Sequence, residues 1–177
     1  MPDASATPED AAGPRGKARP EGRARLEAMA RPEGTARITR GVRRALAGRG
    51  YASVMEFPLS CGRRADVLAV NAAGEIAIVE VKSSVEDFRA DQKWPEYQPW
   101  CDAFWFAVGP DFPAEMIPED CGLLVADAYG AAVLREPPVA RLSPARRKSL
   151  LAALALCAAG RLHRIEDPAA GLDGPGG

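Results

Sequence analysis

Arg63 to Ser84 reads RRADVLAVNAAGEIAIVEVKSS, two apolar runs joined by Asn71-Ala-Ala-Gly74, and the architecture turns on how these runs pair. The runs 63–70 and 75–82 have strand composition, and the Asn and Gly between them supply a hairpin turn. Side chains alternate across a strand, so Glu80 and Lys82 share a face with Ile76 and Ile78, while Ala77, Val79 and Val81 line the other. In the partner strand Asp66 shares a face with Leu68 and Val70, and Ala65, Val67 and Ala69 take the reverse. Both faces are apolar apart from Asp66, Glu80 and Lys82, which is the pattern of central strands covered on both sides.

The length of the turn decides whether these charges meet. A loop of three residues (72–74) or five (71–75) pairs Val70 with Ile76, and the same register sets Asp66 opposite Glu80, with Cβ atoms roughly 5 Å apart. A two-residue turn at Ala73-Gly74 would place Val81 opposite Asp66 and split the charges across the sheet. The odd loops are favoured because they gather all three charges on one face. Two ionised carboxylates at that distance repel, and stranding them among apolar side chains costs several kcal/mol per ion unless something compensates. A divalent cation compensates. Mg²⁺ takes one or two carboxylates, keeps several waters and binds substrate phosphate with the rest of its shell. A neighbouring lysine can orient water and neutralise charge developing on a phosphate. The competing reading is a salt bridge at a fraying strand end.

Outward from the hairpin, residues 37–47 place Ile38, Val42, Ala45 and Leu46 on one helical face and Arg37, Arg40 and Arg44 on the other, with Gly48 and Gly50 as the stop. Tyr51 to Phe57 reads as the first strand. Ser83 or Ser84 caps a helix reaching about Lys93, and Pro95 breaks it. Residues 102–108 (DAFWFAV) form a strand, 122–127 and 131–135 a smaller hairpin, and Ser143-Pro144 opens a helix ending near Gly160. The expected fold class is therefore α/β, a mixed central sheet flanked by helices in the order α-β-β-β-α-β, then a small hairpin and a C-terminal helix. One folded domain over 35–167 is expected. Residues 1–34 and 168–177, rich in Pro, Gly, Ala and charge, are expected as disordered tails.

Composition excludes several chemistries. The single histidine, His163, lies beyond the last expected helix between Arg161 and Arg164, where neither a His-based triad nor a multi-His metal site can be built, and the four cysteines are too far apart for a zinc-type pair. Any catalysis must use carboxylates and lysines. No apolar run is long enough to span a membrane and the start does not read as a signal peptide, so a cytoplasmic location is expected. Residues 36–64 carry seven arginines against Glu56 alone, a basic block in a chain of net charge −1. Such a block is a modest hint of a polyanion partner, and solvated surface charge is the commoner explanation.

Asp66 followed by Glu80-Val81-Lys82 on successive strands resembles the PD-(D/E)xK, or restriction-endonuclease-like, nuclease superfamily. More closely, RRADVLAV, IVEVKSS, DFRADQKWPEY and CDAFWFAVG resemble the MmcB-like family of bacterial DNA-repair proteins, over about residues 37–138. Ala65 stands where the superfamily's name-giving motif has proline. The resemblance implies a restriction-endonuclease-like core and a Mg²⁺- or Mn²⁺-dependent nuclease acting on DNA, in company with other repair proteins. It implies Asp66 and Glu80 as metal ligands, the backbone carbonyl of Val81 as a further ligand, and Lys82 as the catalytic lysine. It also admits members that bind or scaffold without cutting.

Supporting residues follow. Glu56, on the first strand, is an accessory carboxylate in such a site or a polar strand end facing water. Among Asp87, Asp91, Lys93 and Tyr97, which follow the Glu-x-Lys strand, Lys93 is taken as a phosphate contact. Arg37, Arg40 and Arg44 are candidate phosphate contacts whose binding would be salt-dependent. Trp94, Trp100, Phe104, Trp105 and Phe106 are read as core before base-stacking platforms.

Overall fold

The computed structural model describes residues 20–168. The first helix, α1 (Pro20–Gly48), is followed by β1 (Tyr51–Pro58), β2 (Arg64–Asn71) and β3 (Ile76–Lys82). A short helix α2 (Val85–Ala90) and a 3-10 turn (Trp94–Trp100) lead into β4 (Ala103–Val108). β5 (Gly122–Ala126), β6 (Ala131–Arg135) and α3 (Pro144–Glu166) complete the described chain. The helix expected over 37–47 thus extends back to Pro20, where the described residues begin, and 20–34, expected without order, has helical backbone. Its Ala, Arg, Glu, Leu and Met are strong helix formers, and they outweigh the Pro and Gly that argue against order. Tail residues 1–19 and 169–177 lie outside the described ones.

All six strands join one sheet in sequence order. β1-β2-β3 are antiparallel, β4 runs parallel to β3 and β5 parallel to β4, and β6 returns antiparallel. The pair 122–126 and 131–135, which reads in sequence as a smaller hairpin, extends the main sheet, because Phe106 and Leu123 pair in register and carry the core onto the new strands.

The hairpin closes with three residues. Val70 pairs with Ile76, Asn71 N–H donates to the Glu75 carbonyl at 3.2 Å, and Asn71 Oδ1 accepts from the amides of Ala73 and Glu75, each at 3.0 Å. Gly74 adopts φ 76°, the left-handed position such a loop requires. Ser84 caps α2 by accepting from Asp87 N–H, and Pro95 is taken up in the 3-10 turn.

The core is two-sided. Ile38, Val42 and Leu46 of α1 pack on Val67, Ala69, Ala77, Val79, Val81 and Ala107. On the opposite face Leu68, Ile76, Ile78, Phe104, Phe106 and Val108 meet Leu150 and Leu154 of α3 and Tyr97. Gly41 lets α1 lie against the β5–β6 turn, since a Cβ there would sit 2.1 Å from the Asp127 carbonyl oxygen. On the α3 side, buried Asp102 accepts from the amides of Ile76 (2.7 Å) and Leu142 (3.0 Å) and takes both terminal nitrogens of Arg147, at 2.7 and 2.6 Å. One carboxylate thus ties β3, the chain before α3 and α3 itself together.

Candidate active site

The β2–β3 ladder runs regularly from Val70↔Ile76 to Val67↔Val79. Beyond it side chains take over the cross-strand bonding. Asp66 N–H donates to Glu80 Oε1 at 3.2 Å, and Val81 N–H donates to Asp66 Oδ2 at 2.8 Å. Asp66 and Glu80 therefore stand opposite one another, the arrangement that an odd loop predicts. In an extended strand the N–H and C=O of one residue leave on the same side, so the Val81 carbonyl is turned toward Asp66 as its N–H is.

β1 contributes a kink at the same level. Met55 pairs with Val67 and Phe57 with Ala65, while Glu56 between them has φ 49°, the one non-glycine residue with left-handed backbone among those described. Arg161 of α3 donates to the carbonyls of Met55 (2.5 Å) and Glu56 (3.1 Å) and holds the kink. Here the simple alternation expected for β2 fails. Ala65 packs in the same core as Leu68, whereas Val67 and Ala69 pack under α1. The left-handed residue on β1 breaks the pleat, and Asp66 opposite it lies at the switch between faces.

Glu80 and Lys82 are almost sealed, with side chains 5% and 6% exposed, and Asp66 is half-buried. Burial, reinforced by the charge of Asp66, pushes the Glu80 carboxyl up to about 8. Burial also raises the Asp66 carboxyl, against the opposing hydrogen bond from Val81 N–H. For Lys82 burial works against the charged form, but Asp91, whose Oδ2 lies 2.5 Å from Nζ, outweighs it and raises the pKa. The same contact depresses Asp91 in spite of its own burial. Lys82 Nζ lies 3.9 Å from Glu80 Oε2. Tyr97, whose hydroxyl donates to the Arg64 carbonyl at 3.1 Å, is shifted upward by burial and by the charges of Glu80 and Asp66.

The donor set suits a small hard cation to a limited extent. Among the described residues no group of three or more His, Cys, Asp or Glu side chains is arranged to hold a metal. The carboxylates of Asp66 and Glu80 still match in number what Mg²⁺ or Mn²⁺ takes from a protein when water completes its shell. Asp66 and Glu80 each spend one oxygen on a backbone amide, and the second oxygen of Glu80 lies 3.9 Å from Lys82 Nζ. Glu56 shares the neighbourhood, but its carboxylate is 2.5 Å from Arg64 Nε.

The candidate phosphate contacts are divided by the fold. Arg40 and Arg44, together with Arg43, line a cleft of about 840 Å³ between α1 and β1 that also has Met55, Glu56 and Asp66 in its walls. Arg37 is exposed and acts on Asp127. Lys93 is exposed, and its backbone N–H donates to Asp91 Oδ1 at 2.9 Å. Asp91, which sequence spacing does not single out over Lys93, is the residue that binds Lys82. Trp94 stacks on Phe104 with ring centroids 5.8 Å apart, and Trp105 is buried. Arg161 carries no signal in sequence, since its partners lie more than a hundred residues away.

The chain matches the MmcB-like family, described as DNA repair protein MmcB-like, over residues 23–169. This chain belongs to the MmcB-like family of DNA repair proteins. A solved structure, the SPO1766 protein of unknown function from Silicibacter pomeroyi, is similar to the MmcB-like chain at 45% identity. The match covers 80% of this chain and 97% of that one with a TM-score of 0.76. No curated protein matches. No helix among the described residues of this MmcB-like chain is long and apolar enough to cross a membrane.

Proposed function

We propose that this MmcB-like protein hydrolyses DNA phosphodiesters with Mg²⁺ or Mn²⁺ held by Asp66, Glu80 and the Val81 carbonyl. The observation that carries the reading is the pair of carboxylates, sealed Glu80 and half-buried Asp66, bonded across two strands, Asp66 N–H to Glu80 and Val81 N–H to Asp66. Burial and mutual repulsion make this pair costly when both are ionised, and a cation removes that cost. When bound, the cation supplies Lewis-acid polarisation of the phosphate and a water of lowered pKa. Asp66 and Glu80 would hold the cation, and Glu80 is shielded from bulk water by burial. Lys82, held protonated by Asp91, places positive charge beside Glu80 where charge develops on the phosphate. Family membership in DNA repair supports DNA as the substrate. Purified protein is expected to cut DNA with Mn²⁺. Glu80→Gln and Lys82→Met are each expected to abolish cutting while the circular dichroism spectrum persists, and cutting undiminished by both would overturn the reading.

One observation favours a second reading, a module that binds DNA or a repair partner without cutting. Asp91 neutralises Lys82 in place, and the backbone amides satisfy one oxygen of each carboxylate. Calorimetric titration separates the two. Mn²⁺ binding lost in Asp66→Asn supports hydrolysis, and no Mn²⁺ binding in the presence of DNA supports the module.

A further inference from the structure

Glu80 and Lys82 are sealed within the sheet, and of the three central charges only half-buried Asp66 lines the cleft of about 840 Å³ between α1 and β1. A substrate reaches Asp66 through that cleft, so the lining describes what it takes. One wall is the α1 face bearing Arg40, Arg43 and Arg44, spaced three and four residues apart and therefore adjacent on the helix. Arg43 Nε donates to Ser53 Oγ at 3.2 Å and Arg44 reaches the carbonyls of Ala128 and Tyr129, which fixes both guanidinium groups. Arg40 is exposed and makes no side-chain hydrogen bond or ion pair among the described residues. Three arginines along a cleft that ends at Asp66 make a track for a phosphate backbone.

What the cleft lacks narrows the ligand. Proteins that hold single-stranded nucleic acid stack its bases on aromatic side chains. No aromatic residue is among the cleft's lining residues. Trp94, Tyr97, Phe104 and Phe106 stack on one another in the α3-side core, Phe88 and Phe112 pack there, and Trp100 lies under Arg146. Trp105 and Phe57 are buried and Tyr51 packs against the α1-side core. Only Tyr129 is exposed, on the β5–β6 turn. The cleft also has no Asn or Gln to read an adenine edge, and Arg43 and Arg44, which could otherwise read guanine, are held by Ser53 and by the Ala128 and Tyr129 carbonyls. We infer that the cleft takes the phosphate backbone of double-helical DNA, whose bases stay stacked, and binds it through charge without reading sequence. The inference rests on the assignment of Asp66 and Glu80 as the site of chemistry, since that assignment makes this cleft the substrate's entrance.

Fluorescence anisotropy with the full chain in EDTA tests the inference with no cleavage. A labelled mixed-sequence duplex is expected to bind at least tenfold tighter than either of its single strands or oligo-dT, and a duplex of unrelated sequence within about twofold of the first. The double variant Arg40→Gln/Arg43→Gln changes two exposed side chains and is checked for folding by circular dichroism. It is expected to reduce the slope of log affinity against log salt by about two, near 0.9 for each phosphate that the variant no longer neutralises. Single strands binding as tightly as duplex, no binding of either, or an unchanged salt slope would overturn the inference. A separate Mn²⁺ cleavage assay distinguishes the two readings. Duplex bound but never cut removes the hydrolytic reading and keeps the cleft's ligand, whereas cutting confined to single strands keeps the chemistry and removes the duplex.

Discussion

Arg161 lies 105 residues beyond Glu56 in the chain, yet its Nη2 donates to the Glu56 carbonyl at 3.1 Å, the backbone oxygen of the one left-handed non-glycine residue among those described. Left-handed backbone costs an ordinary residue about 1–2 kcal/mol, and hydrogen bonds from a charged donor recover a comparable amount. Arg161→Ala is expected to lower stability by about 2 kcal/mol in urea denaturation. It should also speed hydrogen exchange at the Val81 amide, which bonds to Asp66 opposite the kink. Glu56→Asn, which tolerates the left-handed region, is expected to restore part of that loss in the double variant, and Glu56→Gln to restore none.

The raised carboxyl of Glu80, at about 8, makes a second expectation with a definite sign. Between the ordinary glutamate value and about 8 the folded protein holds a proton that the unfolded chain has released. Stability from this group is therefore full at low pH and is lost as pH rises through about 8. Metal-free protein should become less stable across that window, and Glu80→Gln should flatten the trend. Mn²⁺ affinity should rise over the same window, because the ligand must shed its proton to bind. Calorimetry at several pH values measures both effects.

Asp102 should behave in the opposite sense. Burial alone would raise its carboxyl, but Arg147 and the amides of Ile76 and Leu142 hold it below the ordinary aspartate range. Its stabilising contribution is present above the unfolded value near 3.9 and disappears as pH falls through the depressed folded value. Asp102→Ala strands the Arg147 guanidinium and is expected to cost about 3–5 kcal/mol at neutral pH. The corresponding expectation in acid is that wild type and variant converge in thermal midpoint.

Gly41→Ala places a methyl 2.1 Å from the Asp127 carbonyl and 2.4 Å from that of Gly130, both backbone atoms that cannot swing aside. Helix α1 must then lift from the β5–β6 turn, at a cost of about 1–3 kcal/mol, and carry Arg40 and Arg44 with it. Gly48→Ala, which meets nothing within 4 Å, is the matched control expected to leave stability within about 0.5 kcal/mol of wild type. Thermal denaturation of the two variants together is the measurement.

Apolar runs with period two, an Asn and a Gly at the joint and the parity of the turn are local properties, legible in the chain itself, and they suffice to set Asp66 across from Glu80 with Lys82 one pleat further on. Ser84 and Pro95 announce themselves in the same way, because caps and proline breaks act within a few residues. Other features follow from packing between distant segments. Asp91 holds Lys82 because α2 folds back over β3, and Arg161 reaches Glu56 because α3 lies across β1. The face of Ala65 reverses because a left-handed residue on the neighbouring strand breaks the pleat. The cleft lies where α1 crosses β1. Residue order is enough to say which side chains carry charge in the two central strands and in what register they meet, since alternation and turn length are short-range geometry. What surrounds that pair is settled by packing in three dimensions, since burial, the Lys82–Asp91 contact and the arginine-lined entrance come from elements brought together over long chain separations.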